Sequence, residues 1–486
     1  MRLAAIFVCV GGWCVGCGGQ GVSIGAHDNG AGAALDLGRS VDSSAGDAQP
    51  LSDLGAIAPR DLGARDAQVW SDLATASPTD MQGSSDLAPP TQKPISCAGQ
   101  SGLQPGAPWP MPGHDSAHTN RSDAIGPRTL SITASVQLRP KPTYWTTSTI
   151  AVAADGTVYV TDGVGLHALT SDLAPLWTFP TAGLVPTGPA VRRDDSIVFG
   201  AGSASSNGYV YAVSPLGDQL WSISVSPLAS NDEGAQIWDL AVGCDQTVYA
   251  LATSFASGPA TPRLHAITSD GVLSWTVLST AAAAAPRLGP LGTIYESGPT
   301  VYNPDGSLWY EASPPDCDFI DVIASDGTLF HGALACSADG TRKWNAWPTT
   351  QYEYDFGSTA MGNDGTLFVP SYQQVSAVDQ NGAIRWQSSK LPVPFSCYSR
   401  PLASGIGADG AGTIYLARGF DGYCTGPDGP PPQPPTSTLF ALDATSGVVL
   451  DSLDLEAAAG CAATELAIGA GHLYALCGER LLDISP

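Results

Sequence analysis

An all-β fold of repeated four-stranded units is what this sequence predicts, and two separately countable signals predict it. The first is a tight turn followed by a short strand that ends on an aromatic residue. It occurs as Asp155-Gly-Thr-Val-Tyr159 and recurs at Asp195–Phe199, Asp245–Tyr249, Leu291–Tyr295, Asp326–Phe330, Asp364–Phe368, Ala411–Tyr415 and Ala470–Tyr474. A small-residue strand precedes each, such as Ile150-Ala-Val-Ala153 or Leu466-Ala-Ile-Gly469. The second signal is a hairpin, clearest in Leu264–Val277. There Asp270-Gly271 marks the turn, because glycine takes a positive φ without steric cost, and Trp275 anchors the returning strand. The hairpin follows each of the first seven aromatic strands. Six carry a tryptophan: Trp177, Trp221, Trp275, Trp309, Trp344 and Trp386. In the seventh, Leu439–Leu450 keeps the pattern without one.

Each unit therefore reads, in order, as an inner small-residue strand, an aromatic strand, an apolar strand and an outer tryptophan strand. Four strands recurring at roughly 35 to 60 residues is the pattern of a β-propeller, here eight-bladed with four-stranded antiparallel blades. The eighth unit ends at Ile484-Ser-Pro486, one strand short. Leu130–Leu138 alternates polar and apolar residues and has no hairpin partner. It is expected to pair with Arg480–Ile484 and shut the ring, which removes the open sheet edges. On this reading residues 97–129 are a lead-in, 130–486 are the propeller, and a chain lacking residues 1–128 is expected to remain stable.

The chain before the ring reads differently. Arg2 followed by the apolar run Leu3–Val15 has the length of a signal-peptide core and is too short to span a bilayer. Val15-Gly16-Cys17 resembles the end of a bacterial lipoprotein signal, which makes 1–16 a signal peptide and Cys17 the lipidated residue. Residues 17–96 then form a tether rich in Ala, Ser, Gly, Asp and Pro, with Asp-Leu at Asp36, Asp53, Asp61, Asp72 and Asp86. Such a composition buries too little apolar surface to offset chain entropy. Its carboxylates are not spaced for one calcium loop. Export as a lipoprotein implies the outer membrane or its periplasmic face, or the cell surface, with the membrane reached through the lipid alone.

The formal charge is −25; setting aside +1 from Arg2 and −6 from the tether (4 basic against 10 acidic residues) leaves −20 for the rest. That excludes nucleic acid and an anionic membrane surface as natural partners. Eight cysteines follow Cys17. Proximity suggests Cys317 with Cys336, Cys397 with Cys424 and Cys461 with Cys477, leaving Cys97 for Cys244, although eight cysteines allow 105 pairings. None has zinc-ligand spacing, so no metal site is expected.

Ala168-Leu169…Leu176-Trp177, Tyr211-Ala-Val213…Leu220-Trp221 and Leu439-Phe-Ala-Leu-Asp-Ala-Thr-Ser-Gly447 resemble the PQQ-like repeat. Trp109-Pro-Met-Pro-Gly-His-Asp115 with His118-Thr-Asn-Arg-Ser122 resembles the lead-in found before such propellers. The resemblance covers about residues 107–486. It implies a propeller that serves either as a quinone-dependent dehydrogenase or as a scaffold of the outer-membrane assembly machinery. Those enzymes hold PQQ against a tryptophan, commonly cover it with adjacent cysteines, and bind calcium through Glu and Asn beside a catalytic Asp. This chain has no Cys-Cys pair and no matching Glu and Asn, so no catalytic residue and no cofactor is expected, with PQQ and calcium as the alternative. Ser269-Asp-Gly-Val-Leu-Ser-Trp275 also resembles the Asp box of sialidase-like propellers, a structural hairpin, and leaves a carbohydrate-binding propeller as a third reading. His114, His118, His167, His265, His331 and His472 fit structural roles.

The remaining candidates lie where outer strands lead to the next inner strand. These connectors carry aromatics mixed with charges, unusual for loops: Tyr144 and Trp145, Trp238 and Asp239, Asp321, Tyr354 and Asp355, and Arg400. At the mouth of a ring they suit a protein or peptide partner. The expected role is a monomeric, non-enzymatic binding or scaffold module of the cell envelope.

Overall fold

The computed structural model describes residues 92–95, 101–139, 149–181, 185–203, 206–225, 235–254, 261–279, 285–296, 300–311, 319–346, 358–371, 374–392, 402–420 and 436–486, with two short pieces at 9–10 and 13–14. Cys17, Cys97, Cys317, Cys397, Cys424, Tyr144, Trp145, Tyr354, Asp355 and Arg400 lie outside the described residues. The ring has eight blades of four antiparallel strands. Blade one, for example, runs Ile150–Val152, Val158–Thr161, Gly165–Leu169 and Pro175–Pro180 in spatial order. The inner strand of blade two is split into Val185–Pro186 and Ala190–Val191, both paired with Ile197–Ser203. Among the described residues, no helix is long and apolar enough to cross a membrane.

The aromatic of every second strand is in the core: Tyr159, Phe199, Tyr249, Tyr295, Phe330, Phe368, Tyr415 and Tyr474 are all buried. The Asp-Gly-Thr sequences are turns, as expected. Asp155, Asp245, Asp326 and Asp364 each accept the amide of the threonine two residues on.

The outer-strand tryptophans join one blade to the next. Trp177, Trp221, Trp275, Trp344 and Trp386 are half-buried rather than core residues, and each lies on the hairpin glycine of the following blade, at Gly217, Gly271, Gly306, Gly382 and Gly447. The geometry admits no side chain there: a Cβ built on Gly271 would lie 2.6 Å from the Trp221 ring, and its φ is +85°. Each indole N–H also donates to a carbonyl of that same hairpin, at Pro215, Ser269, Pro304, Gln380 and Ala444.

The remaining three boundaries depart from this pattern for identifiable reasons. In blade four Tyr310, not Trp309, stands opposite Val301 in the tryptophan register, because Trp309 falls in the bulge. The hydroxyls of Tyr310 and Tyr295 donate to Ala338 O of blade five. Blade seven places Asp451 in that register. The next blade has no covalent third-to-outer hairpin to receive a tryptophan, and Asp451 instead accepts the Leu130 amide while the Tyr415 hydroxyl donates to Pro127 O.

The closing blade is built as the sequence predicts. Ser131–Gln137 pairs antiparallel with Arg480–Ser485, with Ile132 opposite Ile484, Gln137 opposite Arg480 and a bulge after Ile132. Beyond it lie Leu473–Cys477 and Ala463–Ile468. Its tryptophan register position is Ala134, opposite Asp483. The facing hairpin of blade one carries Leu173 where glycine stands elsewhere, at φ 65° and buried. Both belong to the same apolar cluster, so a leucine side chain supplies apolar contact where the preceding blade has no indole. The Tyr474 hydroxyl donates to Ser171 O, replacing the indole bond. The Cys461–Cys477 disulfide sits on this blade, as expected from proximity. Cys244 and Cys336 are also disulfide-bonded, to partners outside the described residues.

The lead-in bonds to every blade in turn. Trp109 exchanges two main-chain bonds with Val152 of blade one, and Val191 of blade two donates to Pro110 O. The Ser116 hydroxyl bonds both polar groups of Val242 in blade three. Leu288, Ile323, Met361 and Ala408, in blades four to seven, donate to Ser116, Ala117, Thr119 and Asn120, and Gly471 of blade eight donates to Ile125 O. Trp109 and Met111 are fully buried. All these contacts fall where inner strands turn outward, so the lead-in floors the central channel at the turn face. Residues 92–95, expected within the tether, also bond to blade four: Gln92 to Thr293, Lys93 to Asn303 and Asp305, and Ile95 to Leu291.

Removing residues 1–91 is expected to leave the urea midpoint unchanged. Removing residues 1–128 strips the floor and is expected to cost on the order of 5 kcal/mol or more. Trp221→Ala is expected to cost about 3 kcal/mol, as a half-buried indole and its hydrogen bond are lost. Equilibrium unfolding of the purified proteins checks each value.

Candidate functional site in the central channel

The channel wall is set by the inner strands, and most of its positions are small or apolar, such as Ala151, Ala190, Val322, Ala360 and Ala467. Blades three to five break this rule. The inner strand of blade three, Ala235–Val242, is eight residues long. Its pairing with Val248–Ser254 slips after Ile237, so that Trp238 is the extra residue of a bulge. A regular strand would send Trp238 and Asp239 to opposite faces. The bulge instead leaves both half-buried between the fully buried Ile237 and Leu240.

Two further charges stand on the neighbouring blades. Arg287 opens the inner strand of blade four, and Asp321 precedes that of blade five. Counted from Val242, Leu288 and Ile323, which bond the floor, Arg287 is one residue further from the floor, Asp321 two and Asp239 three. Arg287 donates from Nε to Asp321 O at 3.0 Å and from Nη1 to Ala285 O at 3.2 Å. These carbonyls fix the guanidinium through Nε and Nη1. The Asp321 carboxylate accepts the Gly332 amide at 2.7 Å and lies 3.3 Å from His331 Nδ1.

The two carboxylates consequently differ in character. For Asp321, burial opposes ionisation, but His331, Arg287 and the Gly332 amide outweigh it and hold the carboxyl below its usual range. For Asp239, burial dominates. The amide of Leu240, at 2.8 Å, and the more distant charge of Arg287 offset it only in part, and the carboxyl is pushed up to about 6. Asp239 thus shares the charge of Arg287 with Asp321, which has the larger part of it.

The floor adds His118, whose proton affinity falls to about 3 through burial and the charge of Arg287. Beside it Asp115 accepts the amides of Ala117 and Thr119 and the Thr119 hydroxyl, and its carboxyl stays below the usual range. His114, His118 and Asn120 all have positive φ, so the floor is a tightly wound turn held by these bonds. The other histidines are structural, as the repeat suggested: His167 and His265 bond Thr178 and Thr276 across their blades, each at 2.9 Å.

Of the candidates read from sequence, the structure brings together Trp238, Asp239 and Asp321. It adds Arg287, which sequence reasoning missed. Its signal was a lone arginine in a position that the repeat fills with small or apolar residues. Among the described residues, no group of three His, Cys, Asp or Glu side chains could hold a metal ion. Arg287 stands on the blade between those of Asp239 and Asp321, and its charge acts on both carboxylates.

No protein-family model matches the chain, and no curated protein matches it. Solved structures similar to it include a virginiamycin B lyase from Staphylococcus aureus (12% identity, 74% of this chain and 98% of that one, TM-score 0.41). A quinohemoprotein alcohol dehydrogenase from Pseudomonas putida shares 13% identity over 79% of this chain and 80% of its own, at TM-score 0.38. The Pan2 WD40 domain of Neurospora crassa shares 12% over 74% and 97%, at 0.39.

Asp239 titrates near 6 folded and near 3.8 as a free side chain, so between those values the folded chain holds a proton the unfolded chain has lost. Its contribution to stability therefore falls as pH rises through that window. Asp239→Asn is expected to match the wild type near pH 4. Above about pH 6 it is expected to be more stable by about 1–2 kcal/mol, after allowing for partial solvent screening. Urea unfolding of both proteins at the two pH values measures the difference.

Proposed function

We propose that this protein is an exported, lipid-anchored propeller that acts as a non-enzymatic binding or scaffold module at the cell envelope. The observation that carries this reading is the asymmetry of the channel. The lead-in floors one mouth, and the wall above it carries a half-buried tryptophan and a carboxylate pushed up to about 6 by burial. A floored channel lined this way suits capture of a partner segment entering from the connector face. The formal charge of −20 beyond residue 96 favours basic partners and speeds their approach. The apolar segment ending at Cys17, and the acidic stretch after it, support export, lipidation and a spacer.

The quinone-dependent dehydrogenase is the alternative. Reconstitution with PQQ and calcium, followed by dye-linked alcohol oxidation, separates the readings: stoichiometric quinone binding with turnover overturns ours. For anchoring, Cys17→Ala is expected to move the protein from the membrane fraction to the soluble fraction. Fractionation that does not change in high salt would remove lipidation from the account. Crosslinking in native envelopes is expected to trap a partner on wild-type protein.

A further inference from the structure

We propose that blade four carries a docking site for a short extended segment in which lysine is followed by proline, and that residues 92–95 of this chain are its built-in, releasable occupant. The proposal goes beyond the binding-module reading and does not rest on it. Residues 92–95 meet the two turns of blade four as a ligand would. The Lys93 amide donates to Asn303 Oδ1 at 2.8 Å and the Ile95 amide to Leu291 O at 3.1 Å. The Gln92 side chain donates to Thr293 Oγ1 at 2.9 Å, and Lys93 Nζ reaches Asp305 at 2.7 Å. The two bonded amides are two residues apart, and Pro94 between them has no N–H to leave unpaired. A segment of that pattern binds through its main chain, as an added strand does, and takes its specificity from the side chains of Lys93 and Ile95.

Blade four departs from the repeat at the acceptors of these bonds. In the first turn of other blades, Asp155, Asp245, Asp326 and Asp364 accept the threonine amide, and Asp245 also accepts the Thr247 hydroxyl. Blade four has Leu291 in that place, and the Thr293 hydroxyl accepts Gln92. In the third-to-outer hairpin, Thr170, Ser214 and Thr268 accept amides of their own turns. Asn303 stands in that place in blade four. Its Nδ2 donates to Ser307 within the hairpin, while its Oδ1 accepts the Lys93 amide. Ile95 lies over Gly292, where its Cδ1 would be 3.7 Å from an added Cβ. Both turns therefore differ from the repeat in ways that serve one incoming segment.

The occupant is held lightly. The side chains of Lys93 and Asp305 are 54% and 49% exposed, so water and salt screen the pair. The floor segment, by contrast, buries Trp109 and Met111 completely. Segments with few buried contacts open at low free energy while the rest of the fold stays intact. Residues 92–95 thus act as a latch that blocks the site until they leave it.

Fluorescence anisotropy with a labelled Gln-Lys-Pro-Ile peptide tests the site on the full chain. Lys93→Glu combined with Ile95→Asp empties it without altering the ring, and melting confirms that the variant folds. The emptied variant is expected to bind the peptide about tenfold more tightly than the wild type, whose own latch competes. Acetylating the peptide lysine, or adding Asp305→Asn to the emptied variant, is expected to weaken binding about threefold, the scale of a half-exposed ion pair. Equal binding by wild type and emptied variant, or none by either, overturns the site. Indifference to both acetylation and Asp305→Asn overturns the lysine assignment. In the wild type the Ile95 amide is expected to exchange with solvent far more readily than global unfolding allows. Exchange only through global unfolding would make the segment a fixed part of the ring and overturn its release. A wild-type dimer in sedimentation that Lys93→Glu with Ile95→Asp abolishes would place the segment in the site of a second copy and overturn its assignment to its own blade.

Discussion

Hydrogen bonds from one short segment, residues 104–126, reach the inner edge of all eight blades, and the ring depends on them. A propeller blade by itself contacts only its two neighbours, so the stability of a repeat array is largely a sum of local terms. The lead-in changes that arithmetic. Its carbonyls at Ser116, Ala117, Thr119, Asn120 and Ile125 receive amides from five successive blades, and the order of bonding follows the order of the chain. Loss of any one blade thereby disturbs a strand common to all. The segment can hold this path because Asp115 and three left-handed residues wind it tightly between Met111 and Asn120.

Between blades, the recurring device is an aromatic donor on one blade and a main-chain carbonyl on the next. Indoles reach a hairpin carbonyl at five boundaries and tyrosine hydroxyls do so at two, while at the boundary of blades seven and eight Tyr415 donates to Pro127 O, ahead of the closing strand. The device explains why the tryptophan and the Asp-Gly turn travel together in the sequence: the glycine is the bed for the preceding blade's ring. It also explains the exceptions. Where the termini meet, Ala134 takes the tryptophan place and Leu173 takes the glycine place, so side-chain volume moves from one partner to the other. Two exceptions that look like decay of the repeat are therefore one compensated pair.

Much of this was legible in the sequence. The eight aromatic strands, the hairpins and the closing pair Ser131–Gln137 with Arg480–Ser485 follow from period-two alternation and turn chemistry, which are local. The role of the lead-in was not legible, because its bonds to seven of the eight blades include main-chain groups of both partners, which carry no side-chain pattern. The same is true of Tyr310, where a bulge shifts the register by one residue and makes Trp309 the wrong choice. For the site, a tryptophan next to a carboxylate at Trp238 and Asp239 was visible, but the bulge that interrupts the strand at Trp238 was not. Arg287 stood in plain view as a misplaced charge. Its meaning depends on two blades being adjacent in space.

The site and the fold are linked by the same constraint. Fixing the floor at Ser116 and Ala117 fixes Leu288 and Ile323, and with them the heights of Arg287 and Asp321. Native-state hydrogen exchange tests this central claim most directly. The amides of Leu288, Ile323, Met361, Ala408 and Gly471 each bond a lead-in carbonyl in a different blade. If the lead-in makes the ring one cooperative unit, all five exchange with the same free energy and the same denaturant dependence, equal to those of global unfolding. Exchange that proceeds blade by blade, with separate free energies well below the global value, would contradict the account.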